Sequence, residues 1–554
     1  MNRVFRLRIC LISREYPPET GWGGIGAYTY QHARALKKLG HDVEVIALTP
    51  KDSTCDTQPL VNSSDPLYVP VHRACWGFLL QELATLWISL PYTHFAMKSA
   101  MALWRKFLEV HNRLPFDVVE APEHLAEGLF FTLTGICPLV VRLHTPHSKF
   151  VRDRYHNLTP SFDHKLLSML ERLAILEANV LSSPSRDLAQ FISEDCGIQP
   201  ANILHVPNPV DVQKFTPDGE TALHSRNGAT VLFAGRLEER KGIQYLIDAV
   251  PLVLKEYSDV RFIIVGSDTE TAAGKTSVLR QLKQKLARDG CAQAVQFVGQ
   301  IAHEQMPAYY RSADICVVPS LYENAPYTVL EAQSSGKPVV TTSAGGSKEY
   351  VIDGETGVVV AARDSEALAG ALITLLRDKS ARASMGWRAR ETAVARFSNE
   401  VIAEQAIATY QVAIDRHHLY ADASLYRLGT EKTLTDFVSL LHSYHKNLCD
   451  LIARHSLMFR MKRDVLLLYN RPRLFAAKLA LALFLKPASL GGARVVEFFN
   501  RLDRQVQAQE EQREQAELQA LLRSCRAGLN LPINSAQDVR NDDRANCADV
   551  ISSR

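Results

Sequence analysis

Two acids and two cations in this chain are spaced so that they could do chemistry. Glu323 and Glu331 flank the expected start of a helix in the stretch ENAPYTVLE, where Pro326 suits a first turn and Gly336 with Pro338 reads as the stop. Acids near a helix start are common for dipole reasons alone, so the pair needs support from elsewhere in the chain. Residues 326 to 331 rise about 7.5 Å if helical. The two carboxylates therefore cannot share one small group, but they could bracket an anion docked at the helix start. A carboxylate accepts hydroxyls well and faces a phosphate badly. The cations are Arg236 and Lys241 in FAGRLEERKG, at the end of an expected strand. Together they would make a two-pronged clamp for a diphosphate; either alone would read as a surface ion pair. Gly21, Gly23, Gly24 and Gly26 follow the first expected strand and precede an amphipathic helix. Such a turn lets backbone approach a phosphate, or is simply a tight turn, and it lacks the spacing of a dinucleotide fingerprint. A diphosphate between two hydroxyl-bearing groups describes a nucleotide-sugar, with ribose on one side and hexose on the other.

The elements that must position these residues alternate in a regular way over the first 415 or so positions. RLRICLIS, DVEVIAL, FDVVEAP, PLVVRLH, ANVLSSPS and ILHVPN are expected strands of a first half, and TVLFAGR, VRFIIVG, VQFVGQ, ADICVVPS, KPVVTT and TGVVV of a second. Short runs that are apolar on both faces and separated by helical patterns indicate buried parallel strands in βα units. The class expected is α/β, with two doubly wound domains of six strands each. The proline-rich stretch VPNPVDVQKFTPDGE has no helical period and carries the boundary, which gives domains at 1–209 and 210–415. Ligands of open parallel sheets sit beyond the carboxyl ends of the strands, so a cleft between the two domains is where chemistry is expected.

Composition agrees with a soluble globular chain: 554 residues, 46% hydrophobic, 22% charged, net charge +3. That balance gives no reason to expect a nucleic-acid partner. Ten cysteines without Cys-x-x-Cys spacing read as buried thiols of a reducing compartment. The opening MNRVFRLRICLIS reads as a first strand and not as a leader, and no 18-residue apolar run suggests a spanning helix. The expected location is cytoplasmic, with peripheral attachment to the inner face of a membrane as a further option. Residues 416–554 differ in texture and are expected to form a helical extension with a polar tail. Leu457 to Arg504 holds ten Lys/Arg against three Asp/Glu around LFAAKLALALFL. That segment suits either an anionic membrane surface or a helical appendage packed on the main body.

In this order the motifs resemble those of the retaining nucleotide-sugar glycosyltransferases of family 4, whose GT-B fold sets two Rossmann-like domains face to face. The resemblance covers roughly residues 6 to 415. It rests on GGIGAYTYQHARALKKLGHDV, HTP after a strand, VPNPVD, FAGRLEERKG and PSLYENAPYTVLEAQSSGKPVVTTSAGGSKEYV. It implies that Arg236 and Lys241 stabilise the leaving nucleoside diphosphate, that Glu331 binds the ribose, and that Glu323 lies near the donor sugar. Backbone amides around Thr328 and Val329 would assist at the phosphates, and Gly23 and Gly24 would approach the diphosphate from domain one. His144, in RLHTPH, matches a strand-end histidine facing the donor sugar; without the resemblance it reads as an ordinary loop histidine. One departure stands out. Many members carry a Phe-Gly step after the first glutamate, where this chain has Asn324-Ala325-Pro326.

The reaction implied moves a sugar from a nucleoside diphosphate to an acceptor hydroxyl with retention, in polysaccharide, glycolipid or other glycoconjugate synthesis. No metal or other cofactor is expected to be required, since no Asp-x-Asp lies between the strands of the two domains. The acceptor is left open as a saccharide or a lipid-linked sugar. Rival readings are a hydrolase using the two glutamates, an epimerase-like enzyme of the same fold, and an inert scaffold in a polysaccharide-assembly complex.

Overall fold

The computed structural model describes residues 6–18, 23–49, 65–75, 90–154, 161–223, 228–271 and 276–421. The chain divides into two compact units, one of residues 1–77 with 95–422 and one of 78–94 with 423–554. Almost all of the second lies outside the described residues, as does the basic, apolar segment 457–504, so the account below concerns the first.

Its elements run β1 (Arg8–Ser13), α1 (Gly24–Lys38), β2 (Asp42–Leu48), β3 (Val71–Ala74), α2 (Pro91–His111), β4 (Val118–Pro122) and α3 (Leu129–Thr134). Then come β5 (Leu139–Arg142), α4 (His147–Arg154), α5 (Phe162–Leu176), β6 (Val180–Ser183), α6 (Arg186–Cys196) and β7 (Ile203–His205). A second series follows: β8 (Ala229–Ala234), α7 (Ile243–Glu256), β9 (Val260–Val265), α8 (Val278–Arg288), β10 (Val295–Gly299) and α9 (Met306–Ser312). It closes with β11 (Ile315–Val318), α10 (Tyr327–Ser334), β12 (Val339–Thr342), β13 (Gly357–Val360), α11 (Ser365–Arg377), α12 (Lys379–Phe397) and α13 (Asn399–Ala421).

The strands form two sheets, ordered β3-β2-β1-β4-β5-β6-β7 and β10-β9-β8-β11-β12-β13, and the paired neighbours are parallel throughout. All twelve expected strands are present. The thirteenth, β3, was not foreseen. It is a four-residue edge strand with three half-buried positions, too short and too weakly apolar to show a period. The strand interiors explain the parallel architecture. Along β8, Val231 and Phe233 face one apolar cluster with Ile247, Val250 and Leu372 of flanking helices, while Leu232 faces another with Val329 and Leu330. A strand buried on both faces needs helices on both sides, and right-handed βα crossovers supply them.

In both sheets the strand order reverses at the first strand, between β1 and β4 and between β8 and β11. The turns after these strands open the crevices in which such sheets place ligands. β7 ends at His205 and β8 begins at Ala229, so the stretch VPNPVDVQKFTPDGE lies between the last strand of the first sheet and the first of the second. The chain then crosses back. Ala403, Ala406, Tyr410 and Ala413 of α13 are buried in one cluster with Leu7, Ile9, Val45 and Val118 of the first sheet. The last described helix thus packs on the first domain although the sequence reading placed residues 210–415 in the second. Its apolar stripe is complementary to a sheet that lies far back in sequence, which spacing alone does not reveal.

Cys10, Cys137, Cys291 and Cys316 are buried free thiols. Cys75 is disulfide-bonded, which corrects the all-thiol reading; pairing depends on distance in space, which spacing along the chain does not give. Among the described residues no helix is long and apolar enough to cross a membrane.

Candidate functional site

Lys241 and Arg240 end a short helical turn that follows β8, and Gly242 comes next with φ of +67°. A Cβ there would lie 1.8 Å from the carbonyl oxygen of Pro319, so only glycine lets this turn press on the end of β11. The contact brings the cations onto the loop that carries Glu323. Lys241 Nζ lies 2.5 Å from Glu323 Oε1, and Arg240 Nη1 lies 3.2 Å from the same oxygen. Ser320 donates its hydroxyl to that oxygen as well, at 3.3 Å. Burial pushes the Glu323 carboxyl up, but Lys241 and Arg240 outweigh it and hold the group below its ordinary range. Glu323 is therefore an ionised, 9% exposed carboxylate set between two cations. Spacing along the chain reveals neither the pairing of Lys241 with Glu323, 82 residues apart, nor the part played by Arg240. Arg236 lies two residues past the end of β8, with its side chain 62% exposed and Glu238 Oε1 at 3.3 Å.

Pro326 is the N-cap of α10 and not a residue of its first turn. Val329 N–H donates to Pro326 C=O at 3.1 Å, while the amide of Thr328 belongs to the helix start, where no acceptor exists within the helix. Glu331 sits one turn on and differs sharply from Glu323. It is 6% exposed and accepts a hydrogen bond from the Tyr310 hydroxyl at 2.8 Å. Burial pushes its carboxyl up to about 7, with Tyr310 and Lys214 only partly opposing.

On the facing domain, Gly23 caps α1 with extended backbone, and a Cβ on it would meet the Glu15 carboxylate at 2.2 Å; Gly24 is in open space. Behind that turn lies a buried carboxylate, Glu120 of β4. Tyr28 of α1 and Tyr410 of α13 donate to its two oxygens at 2.8 and 2.9 Å, and His32 Nε2 lies 2.8 Å from the Tyr410 hydroxyl. His144 follows β5. Its N–H donates to both oxygens of Glu123 at 2.8 Å, and its ring meets Tyr28 edge-on at 5.4 Å. Burial, with Arg142 and His124 adding, holds the imidazole well below its ordinary range, so it is neutral near pH 7.

The turn between β4 and α3 is strained: Leu125 and Ala126 have φ of 55° and 53°, left-handed values that non-glycine residues seldom adopt. Buried acids hold it. Glu171 accepts from the N–H groups of Leu125 and His147 at 2.8 and 2.5 Å, and Glu127 accepts from Arg14 N–H at 3.1 Å. Burial raises Glu123 to about 7 and Glu127 to about 8.

The domains meet at this site. Arg142, 1% exposed, donates to the carbonyl of Val206 at 2.6 Å and to Asn208 Oδ1 at 2.9 Å. Asn208 Nδ2 donates on to the Ala325 carbonyl at 3.1 Å. Glu349 accepts from the N–H groups of Arg186 and Asp187 at 2.7 and 2.8 Å, at the start of α6. The loop that carries Glu323 also meets the turn that carries His144, since Asn324 Nδ2 donates to the His144 carbonyl. Among the described residues no group of three or more His, Cys, Asp or Glu side chains is placed to hold a metal ion.

Residues 22–214 match the model described as Glycosyltransferase Family 4, and residues 228–378 the one described as Glycosyl transferases group 1. Together the two matches take in every strand of the two sheets except β1. The chain belongs to the family 4 glycosyltransferases. Glycogen synthase of Mycobacterium tuberculosis is 28% identical over 420 residues, which is 74% of this glycosyltransferase and 95% of the relative. Among solved structures, sucrose-phosphate synthase from Thermosynechococcus elongatus superposes with a TM-score of 0.58 at 24% identity, over 75% of this chain and all of that one. Anabaena Alr3699/HepE in complex with UDP-glucose gives a TM-score of 0.54 at 20% identity, over 73% of this chain and all of that one. These likenesses establish the GT-B fold for the glycosyltransferase, with its two facing sheets.

Proposed function

We propose that this glycosyltransferase uses a nucleoside-diphosphate sugar and transfers the sugar, with retention, to an acceptor hydroxyl in polysaccharide or other glycoconjugate synthesis. The observation that carries this reading is the Lys241–Glu323–Arg240 ion cluster at the carboxyl ends of β8 and β11, the switch point of the second sheet. A fixed cation beside an ionised acid can meet a diphosphate with one and sugar hydroxyls with the other. The complex of Alr3699/HepE with UDP-glucose supports a donor of this chemical class.

Arg236 and Lys241 meet the diphosphate, helped by the amides at Thr328 and Val329 and by the Gly23–Gly24 turn from the other domain. Glu331 takes the ribose hydroxyls, and Glu323 with His144 holds the hexose. In the transfer step the bond between the anomeric carbon and the phosphate oxygen breaks, and its electron pair goes to the diphosphate. The acceptor oxygen bonds to the anomeric carbon on the same face and passes its proton to a phosphate oxygen. The negative charge that develops is what Arg236 and Lys241 stabilise; such preorganised electrostatics is usually the largest catalytic contribution.

A thermal-shift screen against UDP-, GDP- and ADP-sugars tests the reading. One donor should raise the melting temperature by mass action, and Lys241→Ala should abolish the shift. No stabilisation by any of the three, or equal stabilisation of the variant, would overturn it.

A further inference from the structure

The loop after β11 holds an asparagine, Asn324, next to Glu323. Its residue is only 8% exposed, so its amide must find partners within the protein. Both partners come from the first domain. Nδ2 donates to the carbonyl of His144, and Oδ1 accepts from the hydroxyl of Ser185. The orientation is fixed by chemistry, because a carbonyl can only accept and must face the NH2 group. Ser185 has its proton to give: as N-cap of α6 its oxygen already accepts from Leu188 N–H at 3.2 Å. Room for the contact is made by Gly346, whose N–H donates to the Glu323 carbonyl at 2.8 Å. A Cβ on Gly346 would stand 2.0 Å from the Asn324 carbonyl oxygen and 2.5 Å from Ser185 Cβ.

His144 is therefore held from both sides by buried side chains of the two domains. Glu123 of the first takes its N–H, and Asn324 of the second takes its C=O. We infer that Asn324 is a positioning residue for the transfer reaction. By fixing the His144 carbonyl and the start of α6 together, it sets where the His144 ring stands relative to Glu323, one residue away. The inference rests on the reading that His144 and Glu323 hold the donor sugar. An amide alone serves both partners. A carboxylate at 324 would accept from Ser185 but turn negative charge toward a carbonyl oxygen, and alanine would leave that carbonyl only the Thr145 hydroxyl of its own domain, at 2.6 Å, with no tie to the second domain.

The test uses the full chain as wild type, Asn324→Asp and Asn324→Ala, with turnover and donor KM measured from pH 5 to 8. At pH 8 Asn324→Asp should lose about 10²-fold in kcat, as expected of a misplaced reacting group, with donor KM changed by no more than about threefold. As the pH falls the new carboxyl takes up a proton, regains a donor toward His144, and its kcat relative to wild type should climb. Asn324→Ala should show the loss without that climb. Hydrogen exchange gives a readout independent of turnover: both variants should speed exchange in 144–147 and 185–190 together. Wild-type kcat in either variant, or faster exchange confined to 320–326, would overturn the inference. Lys241→Ala in parallel separates the two ideas. If it turns over normally the reading of the site fails, whereas if it is inactive and both Asn324 variants are normal only the present inference fails.

Discussion

Glu323 and Glu331 look alike in sequence and have been given opposite environments. Lys241 and Arg240 keep the first ionised, while burial beside Tyr310 raises the second to about 7. Residue types and order were legible: the acids, the cations and the histidine could all be named. Their mutual pairing was not, because the cations reach Glu323 only through a glycine turn packed on the end of a strand 77 positions later in sequence. Asn324 stood out in sequence as a departure from the family pattern, but its bonds to His144 and Ser185 were not legible for a similar reason, since a polar residue in a loop carries no period. Two outcomes follow at this scale. Lys241→Ala should lower kcat/KM by about 10²–10³, the cost of removing one preorganised charge contact, with the circular dichroism spectrum unchanged. Glu331→Ala should weaken binding of the free nucleoside diphosphate by roughly 1–3 kcal/mol, the cost of leaving buried hydrogen-bonding groups unmet, as measured by titration calorimetry.

Elements were easier to read than residues. The inner strands carried a clear signature because strands buried on both faces are continuous apolar runs; the edge strands β7, β10 and β13 are less buried but still rich in Val, Ile, Leu or Phe, whereas β3 is VHRA, with a histidine and an arginine in four residues. The strained turn at Leu125 and Ala126 had no signature either, since neither residue is a type that favours left-handed backbone; Glu171 of α5 holds it from outside and the turn's own Glu127 ties it to Arg14. Loop packing decides more than helix propensity at the site. Gly346→Ala is expected to destabilise the protein by about 1–3 kcal/mol, the usual cost of overpacking, because the added methyl would collide with the Asn324 carbonyl and with Ser185. Chemical denaturation would register this as a lower midpoint with an unchanged slope.

For the molecule as a whole, the buried acids of the first domain set a pH dependence. Glu123 and Glu127 have folded-state values of about 7 and about 8, above those of an unfolded chain. The folded protein binds protons that the unfolded chain has released, so their contribution to stability falls as pH rises from the ordinary carboxylate range to about 8. Buried histidines such as His32, His124 and His144, held neutral in the fold, act in the opposite sense as pH rises to about 7, so the carboxyl contribution is read from the difference between variant and wild type. The gain in stability of Glu127→Gln over wild type should be larger at pH 8 than at pH 6, of order 1–3 kcal/mol at pH 8. An equal difference at the two pH values would contradict the raised value of this group.

The two passages of chain between the sheets do not run apart. Val210, leaving the first sheet, donates its N–H to Phe397 at 2.8 Å and pairs with Ser398, where the chain returns. Two strings knotted at one point leave a book only one spine. Any parting of the covers would have to bend both crossings at the point they share, Val210 with Ser398.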